Sequence, residues 1–144
     1  MTPEEFFDRM KQQWLGPLGP LDHEHLADDV VVEFPFAAPG RPSRIEGRAR
    51  FAVFADPQRA ALPIRIDACD ATALHQTLDP GTFIVEYELT ATHLRTGKRA
   101  TAAFIAVLTL RDDKVVLWRE YQDTAAMTRA MAPSSPPERI TTGG

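Results

Sequence analysis

Apolar residues recur at three- and four-residue intervals over the first part of the chain, which is the spacing of one helix face. Thr2 suits an N-cap and Pro3 the first helical position, and Gly16-Pro17 is predicted to end the helix. The apolar stripe of this first predicted helix consists of Phe6, Phe7, Met10, Trp14 and Leu15. Such a stripe predicts that the helix packs on a hydrophobic core.

Three shorter helices are predicted further along the chain. The first covers 22–27, with Asp22 as its cap. The second covers 46–55, and Asp56-Pro57 weakens any continuation of it. The third, at 124–131, follows the last predicted strand.

The other segments are rich in β-branched and alternating apolar residues, which predicts strands. These strands are 30–36, 64–69, a less regular partner at 71–77, 82–94, 100–110 and 115–122. Turn residues separate the later strands closely, at Asp79-Pro80-Gly81, Thr96-Gly97 and Asp112-Asp113, and therefore predict an antiparallel meander. We expect an α+β fold in which the helices pack on one face of a curved antiparallel sheet. A sheet that curves around helices leaves a cone whose open end can hold a small ligand.

Composition narrows the class of protein without naming a function. The chain has 144 residues, 44% of them hydrophobic and 25% charged, which predicts one globular domain at 1–132. The segment 133–144 is rich in Ser, Pro, Thr and Gly and is predicted to be a disordered tail. The net charge of −4 comes from intermixed signs, which argues against a nucleic-acid partner. A single cysteine, no visible signal peptide and no long apolar run predict a cytoplasmic protein without a membrane span.

The last predicted strand holds one carboxylate, Glu120, in an otherwise apolar and aromatic run. Alternation places Val116, Trp118 and Glu120 on one face, and Val115, Leu117, Arg119 and Tyr121 on the other. Neither face is polar, so both are predicted to be covered. An apolar wall raises the pKa of a carboxyl toward neutrality, which suits proton transfer. The alternative is that Glu120 faces solvent or pairs with an arginine.

Several other residues are candidates for a binding pocket. Tyr87 alternates with Glu86 and Glu88, so we expect the tyrosine to face the pocket and both glutamates to point outward. The predicted lining consists of Trp14, Phe34, Phe36, Tyr87, Phe104 and Trp118, which would suit a flat, apolar ligand. Each aromatic residue taken alone also fits a core position. Glu33 is expected to pair with an arginine at the rim of the cone.

Metal and thiol chemistry are not predicted. His23 and His25 are two residues apart, a spacing that splays two imidazoles on a helix, and zinc needs three or four ligands. Cys69 lies beside Asp70, whose charge would raise the pKa of the thiol, so a nucleophilic role is not expected. No cofactor motif is present in the sequence.

Three stretches together resemble the NTF2-like superfamily, and within it the SnoaL-like polyketide cyclases. They are 26–36 (LADDVVVEFPF), 44–48 (RIEGR) and 111–123 (RDDKVVLWREYQD). The resemblance implies a cone-shaped fold and a homodimer that pairs through the sheet. In SnoaL-like cyclases and PhzA/PhzB-type phenazine proteins, the position that matches Glu120 carries the catalytic acid.

Two other branches of the superfamily match less well. Ketosteroid isomerases carry their proton-abstracting Asp where this chain has Phe34, and their oxyanion-hole Asp near Ala106. Limonene-type epoxide hydrolases resemble Trp118-Arg119-Glu120-Tyr121, but they also need an Arg and an Asp where this chain has Tyr87 and Leu89. Neither mechanism is therefore expected in its usual form.

The sequence thus predicts a cofactor-independent enzyme that acts on a small hydrophobic, natural-product-like molecule. Glu120 would shuttle a proton in an isomerisation or cyclisation, helped by Trp118 and Tyr87. Three alternatives stay open: a non-catalytic protein that binds a small molecule in the same cone, a structural dimerisation domain with a filled cone, and an epoxide-hydrolase-like activity.

Overall fold

The computed structural model describes residues 1–18 and 22–132 as three helices and seven strands. The helices are α1 (Pro3–Trp14), α2 (Arg48–Ala61) and α3 (Thr124–Met131). The strands are β1 (Gly16–Pro17), β2 (Leu26–Glu33), β3 (Arg44–Glu46), β4 (Ile64–Gln76), β5 (Thr82–His93), β6 (Arg99–Arg111) and β7 (Lys114–Gln122). The predicted tail at 133–144 lies outside the described residues.

All seven strands form one curved, unclosed sheet in the order β1-β4-β5-β6-β7-β2-β3, with the helices packed against it. The α+β fold class is confirmed, and so is the antiparallel meander from β4 to β7. The sheet is not antiparallel throughout, because β2 runs parallel to β7. Leu26 pairs with Val115 and Val32 with Trp118, so this parallel pair joins the two ends of the chain.

The first helix begins where its capping residues predicted. The Thr2 hydroxyl accepts from the Glu5 backbone N–H at 3.1 Å, and the Glu5 carboxylate accepts from the Thr2 N–H at 3.0 Å. This reciprocal pair is a capping box, and Pro3 follows it. The helix buries Phe6, Phe7 and Met10 of its apolar stripe in the core, whereas Leu15 is 39% exposed. The Phe6 ring contacts Phe83 with ring centroids 6.0 Å apart.

The prediction of a helix at 22–27 is wrong. The Asp22 carboxylate accepts from the Glu24 N–H at 2.9 Å, which makes an Asx turn rather than a helix cap. The chain then enters β2 at Leu26, earlier than the predicted start at 30.

Two further boundaries differ from prediction. Helix α2 continues through Pro57 to Ala61. The carbonyl that Pro57 leaves without a helical donor belongs to Val53, which is 77% exposed, so water can solvate that carbonyl. The segments 64–69 and 71–77 are not two partner strands but parts of one irregular strand, β4.

The core lies between α1 and the inner face of the sheet. It includes Phe6, Phe7, Met10, Leu26, Val30, Val32, Cys69, Phe83, Val85, Tyr87, Phe104, Ala106, Leu108 and Val115. None of the helices in the described part of the chain is long and apolar enough to span a bilayer.

Candidate functional site

Glu120 lies on the inner face of β7, between Trp118 and Gln122 on the same face. The neighbouring strand β6 pairs Ala106 with Glu120, and this alanine is fully buried. A methyl group is the only side chain that β6 presents here. The carboxyl can therefore meet a partner from the next strand, β5.

A bulge in β7 corrects one part of the predicted face assignment. Thr109 pairs with Leu117 while Leu110 pairs with Val115, so Val116 is an extra residue. The bulge turns Val115 inward, where it is fully buried on the side of Trp118. The alternation predicted from the sequence therefore holds for Trp118 and Glu120 but not for Val115.

Two side chains donate hydrogen bonds to the Glu120 carboxyl. The Tyr87 hydroxyl donates to Oε1, and the Gln122 amide Nε2 donates to Oε2 at 2.8 Å. Tyr87 comes from β5 and is 2% exposed, whereas Glu120 and Gln122 are half-buried. The carboxyl is thus held from two directions on the inner face of the sheet.

Burial and hydrogen bonding act on this carboxyl in opposite senses. Burial raises the pKa of Glu120, and the hydrogen bonds from Tyr87 and Gln122 oppose that rise without cancelling it. Burial, followed by the charge of Glu120, raises the pKa of Tyr87 well above its usual value. Tyr87 therefore keeps its proton at neutral pH and acts as a donor.

Aromatic rings surround the Tyr87–Glu120 pair. Phe104 stacks on Tyr87 with centroids 5.2 Å apart, and Trp14 lies 5.5 Å from Tyr87 and 5.9 Å from Trp118. Phe34 is the residue after β2; it packs against the core, and its ring contacts Phe54 with centroids 6.1 Å apart. The structure thus brings together four of the six predicted lining residues, Trp14, Tyr87, Phe104 and Trp118, near the predicted acid.

Phe36 lies apart from this group. Its side chain is 66% exposed and contacts the Tyr121 ring at a centroid distance of 5.5 Å. Tyr121 is on the outer face of β7, opposite to Glu120. A residue that the sequence grouped with the inner aromatics therefore packs on the outside of the sheet.

Gln122 is a member of the site that the sequence reasoning missed. Its position two residues after Glu120 on a strand predicts the same face, and that alternation was the available signal. The outward glutamates are where they were expected, because Glu86 pairs with His75 at 2.7 Å on the outer face. Glu33 also pairs as expected, with Arg119 at 3.5 Å and Arg44 at 3.6 Å.

The histidine pair and the cysteine do not join the site. His23 Nε2 lies 2.9 Å from Asp56 Oδ1, and the His25 ring lies 6.2 Å from that of Phe6. Within the described residues, no three His, Cys, Asp or Glu side chains gather at a distance that suits a metal ion. Burial raises the pKa of the Cys69 thiol to about 11, which keeps the thiol protonated at neutral pH.

The curved sheet with helices packed against it agrees with what is found by comparison with known proteins. Residues 5–118 match the model of the SnoaL-like domain. The chain belongs to the SnoaL-like domain family. The uncharacterized Bacillus subtilis protein YesE is 28% identical to this family member over 107 residues, which cover 74% of this chain and 71% of YesE.

Solved structures show the same fold. An isomerase candidate from Bacillus subtilis is 27% identical, with a TM-score of 0.67 over 75% of this chain and 76% of its own. A phenazine biosynthesis-related protein (phzb2) from Pseudomonas aeruginosa is 24% identical, with a TM-score of 0.57 over 83% and 80%. A SnoaL-like polyketide cyclase candidate from Jannaschia is 18% identical, with a TM-score of 0.63 over 93% and 98%. At these low identities the last two support the fold alone.

Proposed function

We propose that this SnoaL-like protein is a cofactor-independent enzyme that uses Glu120 as a general acid/base on a small hydrophobic substrate. The observation that supports it best is the Glu120 carboxyl held by Tyr87 inside a group of aromatic rings. Burial raises the pKa of Glu120 toward the range in which one carboxyl can both take and return a proton.

The proposed reaction class is isomerisation or cyclisation through a carbon acid. Glu120 in its ionised form takes a proton from a carbon next to a substrate carbonyl, and the electron pair moves into the enolate. The protonated Glu120 then returns the proton at another carbon, or after a ring has closed, so the enzyme ends as it began. A positioned acid/base contributes about 10²–10⁴-fold in rate.

The aromatic group suggests the kind of substrate. Trp14 and Trp118 are only partly buried beside the Tyr87–Glu120 pair, and their flat apolar rings favour an aromatic or polycyclic natural product with few polar groups. We further propose a cytoplasmic homodimer that pairs through the outer face of the sheet. Exposed Ile105 lies on that face between Glu86 and Tyr121, in register with both.

A second candidate function is non-catalytic binding of the same class of molecule. It is favoured by one observation: both oxygens of the Glu120 carboxyl already accept hydrogen bonds from the protein. An epoxide-hydrolase-like reaction has less support. Tyr87 occupies the place of the required Arg and is bonded to Glu120, and Leu89 has no carboxylate.

The test is proton exchange at carbon, which needs no knowledge of the natural product. The protein is incubated in D₂O with α-tetralone or cyclohexenone, and deuterium in the ketone is measured by mass spectrometry. We expect exchange above the buffer rate, and a loss of about 100-fold or more in Glu120→Gln. Glu4→Gln, which removes an exposed carboxylate from the first turn of α1, is the matched control and should exchange like the wild type.

Two results would decide between the candidates. Unchanged exchange in Glu120→Gln would overturn the proposed role of Glu120. Ketones that bind equally to wild type and Glu120→Gln, as followed by ligand-observed NMR, and that never take up deuterium would favour the binding protein.

A further inference from the structure

Gln122 and Tyr87 hold the Glu120 carboxyl in different ways. Tyr87 is 2% exposed and fixed between rings, with Phe7, Trp14 and Phe104 at centroid distances of 5.9, 5.5 and 5.2 Å. Gln122 is half-buried at the end of β7, directly before Asp123, the cap of α3. The tyrosine is thus a rigid partner of Oε1, and the glutamine is an adjustable partner of Oε2.

The chemistry of an amide differs from that of the other common partners of a carboxyl. An ionised carboxylate only accepts hydrogen bonds, whereas a protonated carboxyl also carries one O–H donor. A lysine or a backbone N–H can only donate, so neither can accept a hydrogen bond from the O–H of the protonated form. A glutamine amide offers an N–H donor and, after a half-turn about its last bond, a carbonyl acceptor in nearly the same place.

We infer that Gln122 is a positioning residue, which keeps the Glu120 carboxyl hydrogen-bonded to the protein in both its ionised and its protonated form. In the ionised form Gln122 Nε2 donates to Oε2, which is the arrangement seen here. In the protonated form the amide carbonyl accepts from the O–H of Glu120. The catalytic use of this pairing rests on the acid/base function proposed above.

The other groups around Glu120 leave the hydrogen bond from Gln122 as the contact that substitutions can vary in order to shift the pKa of Glu120. The titratable group that contacts the carboxyl is Tyr87 from β5, and Cys69 from β4 acts in turn on Tyr87. Strand β6 faces the carboxyl with Ala106, and α1 faces Tyr87 with Trp14. Arg119 and Tyr121, the neighbours of Glu120 on β7, point to the other face of the sheet.

Three substitutions of Gln122 should therefore shift the pKa of Glu120 in directions set by the charge and the hydrogen-bonding groups of the new side chain. Gln122→Met keeps the length but removes both the donor and the acceptor; because the bond to the ionised carboxylate is the stronger of the two, the pKa of Glu120 should rise by about one unit. Gln122→Glu places a second carboxylate beside the first and should raise that pKa further. Gln122→Lys supplies a fixed cation and should lower it. Gln76→Met, at an exposed end of β4, is the matched control and should leave it unchanged.

The measurement is an NMR titration of protein labelled with ¹³C at the glutamate carboxyl carbons, with Glu120→Gln used to assign the signal. A rise with Met and Glu and a fall with Lys is the expected result. An unmoved Glu120 titration in folded Gln122→Met and Gln122→Lys would overturn the inference. If Met at this position fails to fold, the opposite signs expected for Glu and Lys decide the matter.

Activity is read separately, so that failure of one proposal is distinct from failure of the other. Ketone exchange in D₂O should follow the same order, with the midpoint of its pH profile moving with each titration. Shifted titrations in a protein without exchange activity would support the pairing and overturn the proposed enzyme. Exchange that depends on Glu120 but keeps its pH profile in all three Gln122 variants would overturn the role of Gln122 and support the enzyme.

Discussion

Two regions of the molecule bury titratable side chains in different ways. On the inner face of β7, the Glu120 carboxyl accepts hydrogen bonds from Tyr87 and Gln122, one on each oxygen. In the turn before β2, the Nδ1 atoms of His23 and His25 are buried and have no hydrogen-bond partner among the described residues. Both regions are packed against aromatic rings, since His23 contacts Phe51 at 5.7 Å.

The two regions differ in which part of the fold supplies hydrogen-bond partners to the titratable side chains. Sheet register brings the partners of Glu120 to it from two strands, so the carboxyl has a defined geometry although its charge is partly desolvated. The turn gives His25 a backbone hydrogen bond with Asp22 but leaves its Nδ1 without a partner among the described residues. Burial, together with the nearby imidazole of His23, lowers the pKa of His25 to about 4. At Glu120, by contrast, the hydrogen bonds from Tyr87 and Gln122 oppose the effect of burial on the pKa.

The largest expected effect comes from removing the rigid partner of Glu120. Tyr87→Phe leaves a buried carboxylate without one donor, so the free energy of unfolding should fall by about 2 kcal/mol at pH 8. At pH 5 the loss should be about half as large, because more of the carboxyl is then protonated. Urea denaturation at the two pH values measures this. Tyr121→Phe, on the outer face, should change little, and equal losses at both pH values in Tyr87→Phe would contradict the account.

The histidine turn should show the opposite dependence on pH. The pKa of His25 is lower in the folded protein than in the unfolded chain, so below pH 6.5 the unfolded chain binds the extra proton. Stability is then lost as the pH falls from 6.5 to about 4, on the order of 2 kcal/mol. His25→Phe should reduce this loss of stability at acid pH, as measured by comparing the unfolding free energies of the variant and the wild type. An equal loss of stability below pH 6.5 in the variant would show that His25 is not its cause.

A smaller effect is expected when the charge of Glu120 itself is removed. The pKa of Glu120 is raised in the folded protein, so its destabilising contribution is absent below the unfolded pKa and grows as the pH rises past it. The free energy of unfolding of Glu120→Gln, relative to that of the wild type, should therefore rise by about 1 kcal/mol between pH 5 and pH 8. Thermal unfolding at both pH values tests it. A variant that is less stable at pH 8 would identify Glu120 as a satisfied structural partner.

The smallest effect is expected on the outer face of the same strand. Arg119 pairs with Glu33 at 3.5 Å, but Glu33 keeps a second partner in Arg44. Arg119→Gln should therefore change the free energy of unfolding by less than about 0.5 kcal/mol. Chemical denaturation of this variant provides the baseline for the other substitutions. A loss as large as that of Tyr87→Phe would remove the distinction drawn between the inner and outer faces.

Local rules in the sequence predicted much of this fold. The capping residues at Thr2 placed α1 correctly, and Asp123 caps the predicted helix at 124–131. The same reasoning failed at Asp22, because an aspartate before polar residues suits an Asx turn as well as a helix cap. The parallel pairing of β2 with β7 had no local signal, since it depends on residues at opposite ends of the chain.

The candidate site was predicted in part for similar reasons. Alternation along β5 and β7 placed Tyr87 and Glu120 on inner faces, and family resemblance pointed to Glu120. Their hydrogen bond depends on the register across β6 and on the small side chain of Ala106, which a single strand does not encode. Phe36 was grouped with the inner aromatics because the end of β2 at Glu33 was not predicted.

The parallel pairing of β2 with β7 also sets an order of assembly. The hairpins from β4 to β7 join neighbours in sequence, whereas β2 must wait until the far end of the chain has been folded into place. Tyr87, Glu120 and Gln122 all belong to the early hairpins. The carboxyl and its donors are therefore expected to meet before β2 joins the sheet, and amide protection in pulsed hydrogen exchange should appear in β5–β7 ahead of β2.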